Sequence, residues 1–133
     1  MLVGKISKYP NYLKGFEKKI SKEYNSKFSL TFSSGTAAFY ASILSLNLEK
    51  GSNVLLSRMT FPSVINIVKN LNLKIDFFEV DKNFQPICNA SKNNLDYKLI
   101  IITHPFGFFC DFTKLQSLMS PNTKLIFDCS HTQ

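Results

Sequence analysis

The segment Ser34-Gly35-Thr36-Ala37 combines residue types that bind anions at the start of a helix. Glycine lets the backbone approach a ligand closely, and the first N–H groups of a helix have no intrahelical acceptor. The helix dipole stabilises an anion there by roughly 0.3–1 kcal/mol, and Thr36 adds a hydroxyl. A serine–glycine cap before a small-residue helix is also common as a purely structural feature. The segment is neither a GxGxxG motif nor a P-loop, because no Gly-Lys-Ser/Thr follows it.

Asp128 follows the apolar run Leu125-Ile126-Phe127, so we expect its carboxylate to be partly buried at the end of a strand. A buried carboxylate needs a cationic or hydrogen-bond-donating partner. A protonated ring nitrogen of a cofactor would meet this need, and the carboxylate would raise the pKa of that nitrogen. A helix N-cap or a structural ion pair would meet it as well.

Aromatic and imidazole side chains follow other predicted strands. Phe61 precedes Pro62 and could stack on a planar ligand, although most of the 13 phenylalanines must belong to the core. His104 and His131 each follow a strand, where single histidines are usually structural. A metal site is not expected, since two histidines and three scattered cysteines lack ligand spacing. The polar residues at the predicted strand ends are Ser34, Thr60, His104, Asp128 and His131.

Length and composition indicate one folded domain. The chain has 133 residues, of which 44% are hydrophobic and 19% charged, which excludes a disordered or low-complexity chain. No apolar run approaches the ~20 residues of a membrane helix, and the first residues do not resemble a secretory signal. The three cysteines, Cys88, Cys110 and Cys129, lack CxxC spacing. They are typical of reduced thiols in a cytoplasmic protein.

The net charge of +7 is concentrated near the N-terminus, where residues 1–27 carry +5. Contact with nucleic acid or an anionic surface is one interpretation. A solvated helix face is the interpretation we favour, because Arg58 is the only arginine and the aromatic residues do not alternate with the lysines. We therefore expect a basic helical arm over residues 1–27, and neither a nucleic-acid nor a membrane partner.

Hydrophobic patterns predict apolar strands that alternate with helices over residues 28–133. This alternation predicts an α/β fold with a mostly parallel sheet covered on both faces, which is a three-layer α/β/α arrangement. Ligands of such sheets bind beyond the carboxyl ends of the strands. The predicted strands are 28–32, 53–57, 74–80, 98–103 and 124–128; the predicted helices are 15–24, a buried helix over 34–46, 62–71 and 111–119; residues 81–94 form turns with a small excursion.

Six segments occur in an order that is more informative than any one of them: Ser34–Ala38, Leu48–Val54, Met59–Phe61, Phe78–Asp81, His104–Gly107 and Phe127–His131. In this order they resemble the DegT/DnrJ/EryC1/StrS family of sugar aminotransferases, which are fold-type I pyridoxal-phosphate enzymes. The resemblance covers roughly residues 10–133. Ser34 stands where many members have Asn, and Phe127 replaces a usual Glu.

The resemblance implies a site for pyridoxal 5′-phosphate and a role for each residue that matches the family pattern. Gly35, Thr36 and Ala37 would hold the phosphate, and the aromatic ring of Phe61 would stack on the pyridine ring. Asp128 would pair with the pyridine nitrogen, and His131 would meet the ring hydroxyl. The implied substrates are a nucleotide-linked keto-sugar and an amino-acid amino donor, and residues 28–133 would form part of the family's large domain.

The resemblance also implies what residues 1–133 do not contain. The family's Schiff-base lysine lies beyond the matched aspartate, and none of the lysines here occupies its place, so we expect an N-terminal portion that is inactive alone. Family topology predicts the strand order 74–80, 53–57, 98–103, 124–128, with 28–32 left without a partner. An exposed sheet edge favours homo-oligomerisation or a complementing chain. The alternative is a non-catalytic remnant that binds a partner or an anion.

Overall fold

The computed structural model describes residues 9–87 and 95–131, which form two compact units divided between Ser34 and Gly35. The first unit contains one helix, and the second contains a five-stranded sheet with its helices. The elements are α1 (Tyr9–Glu23), α2 (Gly35–Ser45), β1 (Asn53–Ser57), α3 (Pro62–Asn70), β2 (Lys74–Val80), β3 (Pro86–Ile87), β4 (Tyr97–Thr103), the 3-10 helices Pro105–Gly107 and Phe112–Leu118, and β5 (Lys124–Asp128).

The first unit consists of α1 and the segment that follows it. The predicted helix is confirmed, and it begins earlier than expected, at Tyr9. Oε1 of Glu17 accepts hydrogen bonds from the N–H and the hydroxyl of Thr31, each 2.8 Å long. These bonds hold the pKa of the Glu17 carboxyl below its ordinary value, the backbone bond being the larger cause.

The strand predicted over residues 28–32 is wrong, because this segment has no regular secondary structure and pairs with none of the strands in residues 9–87 and 95–131. A strand needs a neighbour for its backbone groups, and here Glu17 binds the N–H of Thr31 instead. Phe28 and Leu30 are exposed accordingly. The expectation that family topology leaves this segment outside the sheet is confirmed.

The sheet has the order β3-β2-β1-β4-β5. Strands β2, β1, β4 and β5 are parallel, which confirms the predicted order of four strands. The pairing sets Leu55 beside Ile100, and Ile100 beside Leu125. The short strand β3 pairs antiparallel with β2 and is part of the excursion predicted over residues 81–94. Residues 88–94, including Cys88, lie outside the described residues.

Both faces of the central strands are buried, which explains why β1 and β4 are apolar at successive positions. Side chains of one face, such as Leu56 and Ile101, pack with Ile43 of α2 and Val64 of α3. Side chains of the other face pack with Leu115 and Cys110; they include Leu55, Ile100 and Ile102. The predicted α/β fold with a mostly parallel sheet is therefore confirmed, and a 3-10 helix contributes to the second layer.

Two helix predictions need correction. We expected a buried helix over 34–46, whereas Ile43 is the only buried residue of α2, and Tyr40 and Leu44 are exposed. A helix at the surface of a domain buries only the stripe that faces the core, and α2 packs on α3 and the sheet through Ile43. The helix predicted over 111–119 is a 3-10 helix over Phe112–Leu118. At its start, Oδ1 of Asp111 accepts a hydrogen bond from the N–H of Thr113.

Among the residues that the structure describes, no helix has the length and apolar character needed to cross a membrane.

Candidate functional site at the carboxyl edge of the sheet

The carboxyl ends of the parallel strands meet at one edge, and buried polar side chains gather there. They are Ser57, Thr60, Thr103, His104 and Asp128. The hydroxyl of Thr103 donates a 3.3 Å hydrogen bond to Oγ1 of Thr60, and the N–H of His104 donates a 3.0 Å bond to the carbonyl oxygen of Asp128. Edges of this kind are where open α/β sheets bind ligands.

A cavity of about 230 Å³ opens at this edge. Its lining comes from the start of α2, the start of α3 and the turn after β5: Gly35, Thr36, Phe39, Phe61, Ser63, Val64, Asp128, Ser130 and His131. Pockets that enclose a drug-sized ligand measure roughly 300–1,000 Å³. The cavity formed by the described residues is therefore smaller than such a pocket.

Five of the six residues singled out in the sequence line this cavity: Gly35, Thr36, Phe61, Asp128 and His131. Ala37 belongs to the first turn of α2 and is not among the lining residues. Thr60 and His104 are buried beside the site, outside its lining. Four lining residues were not predicted: Phe39, Ser63, Val64 and Ser130.

The start of α2 forms one side of the cavity. Gly35 and Thr36 are its first two residues, at a helix end whose N–H groups lack intrahelical acceptors. A Cβ added at Gly35 would meet no atom within 4 Å, so the space beside this glycine is open to a ligand. The arrangement suits a small anion with several oxygen acceptors.

The carboxylate of Asp128 is the anionic side of the cavity. This residue is 7% exposed, and its Oδ1 accepts hydrogen bonds from the N–H (3.1 Å) and the hydroxyl (2.7 Å) of Ser130. Within residues 9–87 and 95–131, Oδ2 of Asp128 accepts no hydrogen bond. One carboxylate oxygen is thus oriented by the protein, and the other is available to a donor on a ligand.

Aromatic rings form a third side. Phe61 precedes Pro62, the first residue of α3, and is 59% exposed, so more than half of its surface is accessible. The rings of Phe61 and His131 meet edge to face, with centroids 6.4 Å apart. Nδ1 of His131 accepts a long hydrogen bond of 3.5 Å from the N–H of Phe106, whose ring stacks on the imidazole.

His104 lies beneath the site, where burial lowers the pKa of its imidazole and the charge of Asp128 opposes this shift. Its Nδ1 accepts a 2.9 Å hydrogen bond from the N–H of Cys110. Burial also raises the pKa of the Cys110 thiol to about 11, with a smaller contribution from Asp111. Both groups are therefore neutral at pH 7.

The unpredicted lining residues follow from simple spacings. Phe39 lies three residues after Thr36 and so shares its face of α2. Ser130 lies two residues after Asp128, where side-chain-to-backbone turns are common. Ser63 and Val64 are in the first turn of α3. These spacings could have located Phe39 and Ser130 from the sequence.

Residues 2–133 match the profile of the DegT/DnrJ/EryC1/StrS aminotransferase family. GDP-perosamine synthase of Escherichia coli O157:H7 is 26% identical over 132 residues, which are 94% of this chain and 35% of that protein. Protein MosB of Rhizobium meliloti is 26% identical over 106 residues, which are 77% of this chain and 21% of that protein. The chain thus spans about a third or less of the length of these relatives.

Solved structures share the fold. GDP-4-keto-6-deoxymannose-3-dehydratase with a trapped PLP-glutamate geminal diamine aligns with a TM-score of 0.78 at 19% identity, over 88% of this chain and 33% of that one. NtdA of Bacillus subtilis with bound PMP aligns with a TM-score of 0.73 at 22% identity, over 91% of this chain and 29% of that one. The predicted fold is therefore that of part of a pyridoxal-phosphate enzyme.

Proposed function

The chain belongs to the DegT/DnrJ/EryC1/StrS aminotransferase family, and from that membership we propose that residues 28–133 supply part of the large domain that binds pyridoxal 5′-phosphate in a sugar aminotransferase. The observation that carries this proposal is the cavity at the sheet edge. There the first turn of α2 lies with an accessible aromatic ring, a buried carboxylate and an imidazole.

The residues of the cavity fit the parts of the cofactor. Gly35 and Thr36 would hold the phosphate through backbone N–H groups and a hydroxyl. Ala37 follows them in the segment that resembles the family's phosphate-binding turn. The open space beside Gly35 leaves room for the phosphate oxygens. A phosphate has the charge and the acceptors that this helix end stabilises.

The pyridine ring of the cofactor would stack on the ring of Phe61. Oδ2 of Asp128 has no hydrogen bond within the described residues, so it would accept a hydrogen bond from the protonated nitrogen of the pyridine ring. Ser130 meanwhile donates two hydrogen bonds to Oδ1. The negative charge of Asp128 would keep that nitrogen protonated. His131 would donate to the ring hydroxyl. Pyridoxal phosphate, when bound, supplies a ring that withdraws electrons from a substrate carbon.

Turnover also needs an amine nucleophile that holds the cofactor and moves a proton. None of the described residues that line the cavity is a lysine. We therefore propose that residues 1–133 bind the cofactor and do not complete aminotransfer by themselves. The names of the relatives, which include GDP-perosamine synthase, support a nucleotide-linked keto-sugar as the substrate of the whole enzyme, with an amino acid as donor.

Exposed apolar side chains support assembly with another chain. Tyr40 and Leu44 on α2 and Phe127 on β5 are all exposed, and burying such groups stabilises an interface. We propose a homo-oligomer or a complementing chain, in the cytoplasm. The same side chains favour the second candidate function, a non-catalytic module that binds a partner. Sedimentation of the purified chain at several concentrations tests for assembly, and a monomer at all of them would count against it.

The cofactor proposal is tested by calorimetric titration of the chain with pyridoxamine phosphate, pyridoxamine and inorganic phosphate. Pyridoxamine phosphate is chosen because it lacks the aldehyde that reacts with surface lysines. We expect it to bind more tightly than either of the other ligands, since it engages both the start of α2 and Asp128. Equal affinity for phosphate and pyridoxamine phosphate would support the anion-binding alternative and reject the cofactor site.

The proposal of incomplete chemistry is tested by adding pyridoxal phosphate, reducing with borohydride and mapping the labelled peptides. The sequence holds sixteen basic residues of which one is arginine, so fifteen lysines compete for the label. We expect label scattered over exposed lysines. One lysine that takes most of the label at stoichiometric cofactor would contradict the proposal.

A further inference from the structure

Both histidines receive a backbone hydrogen bond from the same short segment, Pro105–Cys110. The N–H of Cys110 donates to Nδ1 of His104 over 2.9 Å, and the N–H of Phe106 donates to Nδ1 of His131 over 3.5 Å. A ring nitrogen that accepts a hydrogen bond carries no proton, so each neutral imidazole has its proton on Nε2. The segment thereby sets the tautomer of an imidazole in the cavity.

His104 holds this segment from below. This residue is 4% exposed, and its ring stacks on two phenylalanine rings, that of Phe109 at 4.9 Å and that of Phe127 at 5.9 Å. One of these rings belongs to the segment and the other to β5. The imidazole therefore joins the segment to the sheet by stacking and by the hydrogen bond from Cys110.

The segment needs such an anchor because its backbone is strained. Phe106 has a φ of 53° and Gly107 a φ of 83°, and a non-glycine residue in this region costs free energy. The conformation persists only where surrounding contacts hold it. The ring of Phe106 stacks on His131 at 6.0 Å and contacts Phe84 at 5.8 Å.

We propose that His104 is a positioning residue for His131: by accepting the N–H of Cys110, it holds segment 105–110 so that the N–H of Phe106 keeps His131 in the Nε2–H tautomer. The Nε2–H group of His131 is then the donor that the imidazole offers to the cavity. Only the identity of the ligand that receives this donor rests on the cofactor site proposed above.

Two replacements separate the hydrogen bond from the stacking. His104→Asn sets an amide oxygen close to the position of Nδ1, so the acceptor for Cys110 remains. His104→Phe keeps a flat ring to stack on Phe109 and Phe127 but has no acceptor. The readout is the ¹⁵N chemical shifts of the His131 imidazole in the ligand-free chain, because these shifts distinguish the two tautomers.

We expect His131 to be in the Nε2–H form in wild type and in His104→Asn. In His104→Phe we expect a mixture of the Nε2–H and Nδ1–H tautomers, as in a free imidazole. Unchanged His131 shifts in His104→Phe would overturn the proposal, and so would equal shifts in both variants. If His104→Phe does not fold, the wild-type chain and His104→Asn decide, because the hydrogen bond from Cys110 is present in both. A tautomer mixture of His131 in either chain would overturn the proposal.

Titration with pyridoxamine phosphate completes the experiment. We expect His104→Phe to weaken binding by about 3–10-fold, the loss of one neutral hydrogen bond, and His104→Asn to restore it. A wild-type chain that binds no pyridoxamine phosphate would reject the proposed function, while the tautomer measurement would still decide the role of His104.

Discussion

The N–H of His104 donates a 3.0 Å hydrogen bond to the carbonyl oxygen of Asp128, and this bond joins the carboxyl ends of β4 and β5. The register agrees with it, since Thr103 pairs with Asp128. The backbone of the residue that carries the carboxylate in the cavity is thus bonded to the backbone of the residue that carries the buried imidazole. Because this bond joins main-chain atoms, it remains when either side chain is replaced.

Replacing Asp128 by Asn should weaken binding of pyridoxamine phosphate by roughly ten- to a hundredfold, because a hydrogen bond to a charged group contributes about 1.5–3 kcal/mol. Asp96→Asn is the matched control, since Asp96 precedes β4 at the opposite end of the sheet. Calorimetric titration of both variants measures the difference. Equal losses in the two variants would mean that Asp128 acts only through general charge.

Replacing Thr36 by Val should weaken binding of pyridoxamine phosphate by about 2–10-fold, since the side chain keeps its shape and loses one hydroxyl. Thr36→Ser retains the hydroxyl and serves as the control. Pyridoxamine, which lacks the phosphate, should bind wild type and Thr36→Val alike. A Thr36→Val chain that loses affinity for both ligands would assign Thr36 a role other than phosphate binding.

The free energy of unfolding should decrease as the pH is lowered, because His104 then takes up a proton more readily in the unfolded chain. Burial lowers its pKa in the folded state below the ordinary value of 6.5, so the unfolded chain takes up the proton first. The contribution of the neutral His104 side chain to the free energy of unfolding is fully present above pH 6.5. It is lost as the pH falls toward the folded-state pKa of this residue. Urea unfolding followed by circular dichroism from pH 8 to pH 5 measures it.

His104→Asn provides the reference for that experiment, because asparagine does not titrate. We expect the free energy of unfolding of wild type to fall more steeply below pH 6.5 than that of the variant. Parallel curves for the two chains would show that His104 titrates alike in the folded and unfolded states, contrary to its burial.

Cys110 should resist alkylation in the folded chain. Its pKa of about 11, against an ordinary 9.0, reduces the reactive thiolate at pH 8 by roughly a hundredfold, and burial restricts access further. Iodoacetamide labelling with peptide mapping should modify the exposed Cys129 first. In denaturant the two rates should converge; similar rates in the native chain would contradict the burial of Cys110.

Local patterns in the sequence located most of the sheet. Strands β1, β2 and β5 were predicted with their observed bounds, because each is a short apolar run between turn residues, and Pro62 marks the start of α3. The cavity lining was predicted in part, since strand order brings Asp128 to the edge where α2 begins. Family resemblance supplied the strand order, which spacing alone does not determine.

Other features depend on neighbours that no local pattern describes. Small apolar residues suit a buried helix and an exposed interface equally, so the exposure of Tyr40 and Leu44 on α2 was not predictable. The hydrogen bonds at His104 and His131 depend on the positive φ of Phe106, which a phenylalanine rarely adopts. The segment at residues 28–32 has strand-forming residues, but none of the described strands pairs with it.

The two outer strands of the sheet differ in how they meet solvent. β3 is two residues long and contains Pro86, which has no N–H to donate. That edge of the sheet therefore offers few backbone groups for pairing with another strand. Within the described residues, β5 has a neighbour on one side only. Of the two edges in the described residues, the edge at β5 therefore has the longer row of unpaired backbone groups. A strand added at that edge would lie beside Asp128 and would extend the wall around its carboxylate.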